Sequence, residues 1–254
     1  MTSSDIPGMN TGLLPPVSVP VPYRIIALMQ ERNRLYSCSP EHLAAGIRAS
    51  RFRCAGCGAC CTKAVSSHIF LLDRDVEAVQ AIDPAAYVPA PDPEFCDQDG
   101  TLYVSGYALR MRDDTTGSCW FLDNGRCRIY DKRFSGCRIY PHMSRRSADT
   151  SGSVRWRGFA RKYRHGHYDA ELSGDESLVL ARQVMEYENA YLSQQIAFLE
   201  TIHEYFLIHD LRHDPVMHRQ QVQRLRHGGK VTVRVYHAGD LETWKKADPS
   251  GYLR

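Results

Sequence analysis

Eight residues constrain this chain more than any others: Cys54-Ala55-Gly56-Cys57-Gly58-Ala59-Cys60-Cys61. Four thiols lie within them, and only small residues separate those thiols. Two-residue gaps let a loop curl so that successive sulfurs turn toward one centre. Gly56 and Gly58 allow the positive-φ conformations and close backbone approach that such a curl requires. Three further thiols follow at Cys119, Cys127 and Cys137. A thiolate is a soft, anionic ligand suited to zinc and to iron–sulfur clusters. The pattern predicts that Cys54, Cys57, Cys60, Cys61, Cys119, Cys127 and Cys137 build one metal centre and that the rest of the chain holds it.

The doublet adds a condition. Adjacent side chains point in different directions, so Cys60 and Cys61 suit two metals, or two irons of one cluster, better than a single ion. Two tetrahedral zinc ions that share one bridging sulfur take seven thiolates. One four-cysteine iron–sulfur cluster, with 4Fe–4S the leading form, leaves three thiols for a second, open site. Zinc or iron ions and an iron–sulfur cluster both stay open. Arg51, Arg53 and Lys63 flank the loop, and cationic neighbours lower thiol pKa values and offset thiolate charge.

Composition decides between metal and disulfides. The segment Met1–Pro22 has no basic cluster followed by an apolar core, so it reads as a disordered lead-in rather than a secretory signal. That places the chain in the cytoplasm, where disulfides are rare. Nine cysteines with an adjacent pair among them then point to metal. No apolar run approaches the roughly 18–20 residues of a membrane span. A net charge of +3 on 254 residues does not mark a dedicated nucleic-acid binder. The basic, aromatic stretch 144–168 leaves nucleic acid possible, but a solvated loop is favoured, and a protein partner or protein substrate fits better.

Local signals place the thiols on elements. Residues 23–50 carry helical periodicity through Ile25, Leu28 and Met29, then Leu43, Ala44 and Ile47, with Ser39-Pro40 as a helix start. His68–Leu72 reads as a buried strand, and Asp73 as the cap of a helix over 74–82. The prolines of 83–100 predict mostly loop, with Cys96 in it a spectator; Cys38 reads as a small, partly buried apolar residue. Ser105-Gly106 suggests a hairpin between strands near 101–104 and 107–112. Asp123-Asn124-Gly125 predicts a second hairpin that brings Cys119 and Cys127 onto neighbouring strands. Residues 175–210 form the clearest helix, faltering only near 188–189, with Ser173 and Glu176 as a capping box. His203, His209, His213 and His218 lack a complete ligand motif, and the alternating Val231, Val233 and Val235 predict a terminal strand. The expected fold is a single irregular α+β domain: short strands and loops around the metal, packed by helices that include one long C-terminal helix. Along the chain this gives a lead-in over 1–22, a cysteine-cluster unit over 23–170 and a helical extension over 171–254.

Two motifs carry a family resemblance. The first is Cys54-x-x-Cys57-x-x-Cys60-Cys61. The second runs Gly117-Ser118-Cys119-x-Phe121-Leu122, Cys127-x-Ile129-Tyr130, Arg133-Phe134 and Cys137-Arg138-x-Tyr140-Pro141. Together, over roughly 51–142, they resemble the YkgJ-type CxxCxxCC cysteine-cluster family of zinc- or iron-chelating proteins. Phe134 stands where that family usually has proline. The resemblance implies metal or iron–sulfur binding. A distant relative, the flagellin lysine N-methylase, transfers methyl groups, but no glycine-rich strand–turn–helix for S-adenosylmethionine is present here. Three functions therefore compete: a redox or electron-transfer protein, a structural dizinc module for partner binding, and a protein-modifying enzyme of the lysine N-methylase kind.

Overall fold

In the computed structural model the described residues are 19–66, 68–143, 145–148, 154–157 and 165–244, those of 145–148 and 154–157 by backbone pairing alone. The lead-in before residue 19 and most of the basic stretch lie outside them.

The chain begins with helices α1 (Val21–Tyr36) and α2 (Pro40–Ser50). Ser39 Oγ accepts from the His42 N–H at 3.2 Å, and proline follows at the first helical position, so α2 starts where local chemistry puts it. Strand β1 (Phe70–Leu71) leads into α3 (Asp73–Ile82). The cap of α3 falls at Leu72 rather than Asp73: Asp75, at the third helical position, accepts from the Leu72 N–H at 3.4 Å and draws the helix one residue earlier. Strands β2 (Tyr87–Pro89) and β3 (Phe95–Cys96) lie within the proline-rich segment, followed by β4 (Leu102–Val104) and β5 (Tyr107–Leu109). Then come β6 (Leu122–Asp123), β7 (Arg126–Cys127), the short α4 (Ser135–Ile139) and the antiparallel pair β8 (Arg145–Ala148) and β9 (Val154–Arg157). Helices α5 (Gly174–Ile208) and α6 (Pro215–Arg226) and strands β10 (Val233–His237) and β11 (Asp240–Thr243) complete an α+β domain.

Two small sheets meet at the core. One has the order β1-β5-β2, and the other β11-β10-β4-β3 with β10 parallel to β4. Strands β4 and β5 do not pair with each other, so Ser105-Gly106 is not a hairpin turn. It is a corner where the chain leaves one sheet for the other. The Ala90 N–H donates to the Gly106 carbonyl (2.9 Å) and the Gln194 amide to that of Ser105 (3.3 Å). Both carbonyls thus serve other elements, and all six residues of β4 and β5 are buried.

Helix α5 is the spine. Ser173 Oγ accepts from the Glu176 N–H (3.0 Å), and the Glu176 carboxylate from the Ser173 N–H (2.9 Å), a complete capping box. Its first half buries Ala181, Val184, Tyr187 and Tyr191 against α2, β1 and α4. Its second half buries Leu192, Ile196, Leu199 and Ile202 against α1, β3 and β4. Tyr187 and Tyr191 carry the apolar stripe unbroken past 188–189.

The segment after α4 contributes a pH-sensitive element. His142 is buried, with the Phe52 ring edge-on at 6.0 Å. Burial pushes its pKa down to about 4. A depressed histidine pKa means that the folded state holds fewer protons. The stability tied to neutral His142 is therefore present above about pH 6.5 and lost toward about pH 4, on the order of 3 kcal/mol. In His142→Phe that share of the acid loss should vanish. Denaturant midpoints measured at several pH values between 6.5 and 4.5 check this, and an unchanged pH slope in the variant would refute the burial account.

Candidate metal centre

Each thiol is set by a local device. The Gly56 N–H donates to Cys54 Sγ at 3.4 Å. Gly58, at φ +71°, turns the chain into a single 3₁₀ turn over Ala59–Cys61, closed by the Cys61 N–H on the Gly58 carbonyl at 2.9 Å. A Cβ on Gly58 would lie 2.8 Å from Leu122 Cδ1 and 3.0 Å from the Gly125 carbonyl oxygen, so the first cysteine motif packs directly on the second. Thr62 and Ser66 hold the turn from behind, their hydroxyls donating to the carbonyls of Ala59 (2.9 Å) and Cys60 (2.8 Å).

The downstream thiols arrive on three separate supports. The Cys119 N–H donates to the Cys61 carbonyl at 2.7 Å, and Cys119 bridges to Met111. Cys127 sits on the β6–β7 hairpin opposite Leu122, across an Asn124-Gly125 loop with both φ values positive, as a two-residue turn of this kind requires. Only Cys127 of the Cys119–Cys127 pair lies on that hairpin. Cys137 is carried by α4. The Ser135 N–H and hydroxyl at the start of α4 donate to Oδ1 of the buried Asp75 at 3.1 and 3.0 Å. Asp75 thus ties α3 to the element bearing Cys137. The sequence offered only its place in the first turn of a helix as a hint.

Six of the seven thiols line one cavity of about 60 Å³: Cys54, Cys60, Cys61, Cys119, Cys127 and Cys137. A water-sized group takes at least about 10–15 Å³ on that scale, so the space holds more than one atom. Its walls are apolar, with Ile69, Leu109, Met111, Phe121, Ile129 and Phe134 between the sulfurs. Cys57 is exposed and is not part of the lining. Among the described residues no three His, Cys, Asp or Glu side chains stand in ready coordination geometry around a single point; the thiols share the cavity without converging.

Burial shapes their protonation. It pushes Cys119 up to about 11 and Cys137 well above the ordinary thiol range. The neighbouring thiols of Cys60 and Cys61 shift in opposite directions: Cys61 lowers Cys60 against the effect of burial, and Cys60 together with burial raises Cys61. Soft donors that gain anionic charge only by losing protons, in a mostly apolar cavity, are a donor set that fits a thiophilic cation.

The other candidates lie elsewhere. Cys96 is fully buried in the main core, donates to the Asp97 carbonyl at 3.4 Å and is pushed up to about 12, first by burial. Cys38 is half-buried beside Ser39. His213 Nδ1 accepts from the Cys96 N–H (3.1 Å), and His218 Nε2 lies 2.8 Å from the Pro93 carbonyl oxygen. Both histidines pin α6 and its leading loop to β3, and His203 and His209 are exposed on the last turn of α5 and just beyond it.

Residues 53–158 match the family model CxxCxxCC, described as "Putative zinc- or iron-chelating domain". The segment is similar to that domain. The match supports metal binding by the segment that contains the cavity thiols. No curated protein and no solved structure matches the chain. Around the matched segment, α5 and the β10–β11 pair supply buried surface on which its sheets rest. Among the described residues no helix is long and apolar enough to cross a membrane.

Proposed function

We propose that the CxxCxxCC domain holds a polynuclear thiolate centre, an iron–sulfur cluster before zinc, and serves a redox role toward a protein partner in the cytoplasm. The observation that carries this reading is the gathering of six thiols from separate segments around one apolar cavity. Six exceeds the four thiolates that complete a single tetrahedral ion. Cys54, Cys60, Cys61, Cys119, Cys127 and Cys137 are the inner ligands, and Cys57, at the exposed edge, is the outermost of the seven. When bound, an iron–sulfur cluster supplies one-electron chemistry at a potential set by charge, hydrogen bonds to sulfur and solvent exposure. The chain's own part is to keep that space dry with Phe121, Phe134 and Leu109, and to donate the Gly56 N–H to Cys54 Sγ.

A structural dizinc module is the second reading, favoured by the doublet's capacity to serve two ions. Anaerobic purification followed by metal and sulfide analysis with an absorption spectrum separates the two. Iron and sulfide with visible absorption near roughly 400 nm is the expected result for a cysteine-ligated cluster. Stoichiometric zinc without iron or sulfide would overturn the redox reading and leave the dizinc one.

A further inference from the structure

Arg133 lines the thiol cavity together with Tyr130, and no carboxylate lies within ion-pair distance of it among the described residues. Its orientation is fixed without one. The Arg133 Nε–H donates to the Tyr130 carbonyl at 2.9 Å, and its guanidinium lies 3.9 Å from the centroid of the Tyr130 ring. The Arg133 carbonyl in turn accepts from the Arg138 guanidinium at 2.6 Å, and a second nitrogen of Arg138 accepts no proton but donates to Ser135 Oγ at 3.2 Å. Tyr130 and Cys54 line the same cavity. Backbone, ring and helix α4 therefore hold a half-buried cation at the wall of a cavity lined by potential anions. A fixed cation with no anion of its own is a counter-charge waiting for thiolates; it acts more strongly at an apolar wall than in water.

We infer that Arg133 and Tyr130 act as positioning residues for the bound centre, Arg133 by offsetting the negative charge of the thiolates and Tyr130 by holding the guanidinium in place. This rests on the metal-binding reading but not on which metal is bound. A cation beside the centre stabilises its more negative states, so it favours metal-loaded thiolates over free thiols and, for a redox cluster, the reduced state over the oxidised one.

The test uses the full chain as purified with its metal, first identified by elemental analysis, and the variants Arg133→Gln, Arg133→Lys and Tyr130→Leu. Competition with a chelator reads metal retention for either metal. Arg133→Gln should release metal about tenfold more readily, Arg133→Lys should stay within about threefold of the parent, and Tyr130→Leu, which removes the ring but keeps the cation, should fall between. If the metal is an iron–sulfur cluster, the Arg133→Gln midpoint potential should also become more negative, by about 59 mV for a tenfold change in a one-electron couple. Thermal unfolding separates folding from charge, and Tyr130→Leu tests the holding of the guanidinium should Arg133→Gln fold poorly. Equal retention in Arg133→Gln and the parent would overturn the inference, as would an Arg133→Lys variant as weak as Arg133→Gln. Zinc in place of iron would overturn the redox reading while leaving the retention test in force.

Discussion

Cys137→Ser is expected to abolish stoichiometric metal binding and to lower stability, whereas Cys57→Ser should retain most of the metal. The contrast follows from position. Cys137 projects into the cavity from α4, whose first residue is locked to the buried Asp75. Its loss removes a ligand from the most constrained part of the site. Cys57 is exposed on the loop and outside the lining, so serine there removes the outermost donor only. Binding energy in a thiolate site is also folding energy, on the order of 10 kcal/mol for a structural zinc; a fraction of that suffices to change whether a domain of ordinary stability is folded. Metal content per chain and the thermal midpoint, measured on both variants beside the parent, check the prediction. Equal metal loss in the two would place Cys57 among the inner ligands. Retention by Cys137→Ser would remove Cys137 from the set. The buried thiols must give up protons to bind, Cys119 from about 11, so retention in the parent should weaken as pH falls.

What could be read from the sequence divides along the range of the interaction. Ser39, Ser173 with Glu176, and Asn124-Gly125 are devices complete within four residues, and each sits where its local chemistry places it. The cysteine motifs belong with them, because two-residue gaps and small spacers have few other uses. Ser105-Gly106 shows where such reading stops. Its residues suit a hairpin, but β4 lies between β3 and β10; β10 comes about 130 positions later by residue number, and no local pattern reveals a parallel partner at that distance. The same holds within the centre. Cys119 and Cys127 were brought together, but Cys119 is held by the Cys61 carbonyl rather than by a strand shared with Cys127. The exposure of Cys57 depends on how the loop settles on Leu122 and Gly125. Arg133 stands in the second cysteine motif, but its place against the Tyr130 ring at the cavity wall is visible only in the fold.

The second large effect lies away from the thiols, where α1 is fastened to the sheet. Glu94→Ala is expected to destabilise the fold by about 3–5 kcal/mol, as loss of one partner of a buried ion pair does. Arg24 is fully buried and bonds Glu94 Oε2 at 2.8 Å, with its guanidinium 5.0 Å from the Phe95 ring centroid. Glu94 is itself anchored, its N–H donating to the Tyr103 carbonyl at 2.9 Å. Burial raises the Glu94 pKa while Arg24 opposes that rise, so the attraction within the pair works against a desolvation penalty. The remaining Nε and Nη1 of Arg24 have no hydrogen-bond partner among the described residues. Once Glu94 is removed, the cation keeps only an aromatic face, worth about 0.5–2 kcal/mol, against the much larger penalty of an unpaired buried charge. The pair as a whole is a different matter. Replacing both by apolar residues, Arg24→Met with Glu94→Leu, removes the charge and its penalty together and should recover most of the loss. Denaturant unfolding of Arg24→Met, Glu94→Leu and the double variant beside the parent forms a closed cycle. A double variant as unstable as Glu94→Ala would mean that the pair contributes shape rather than compensated charge, and that α1 is held through Leu28 and Leu35 against α5 more than through Arg24.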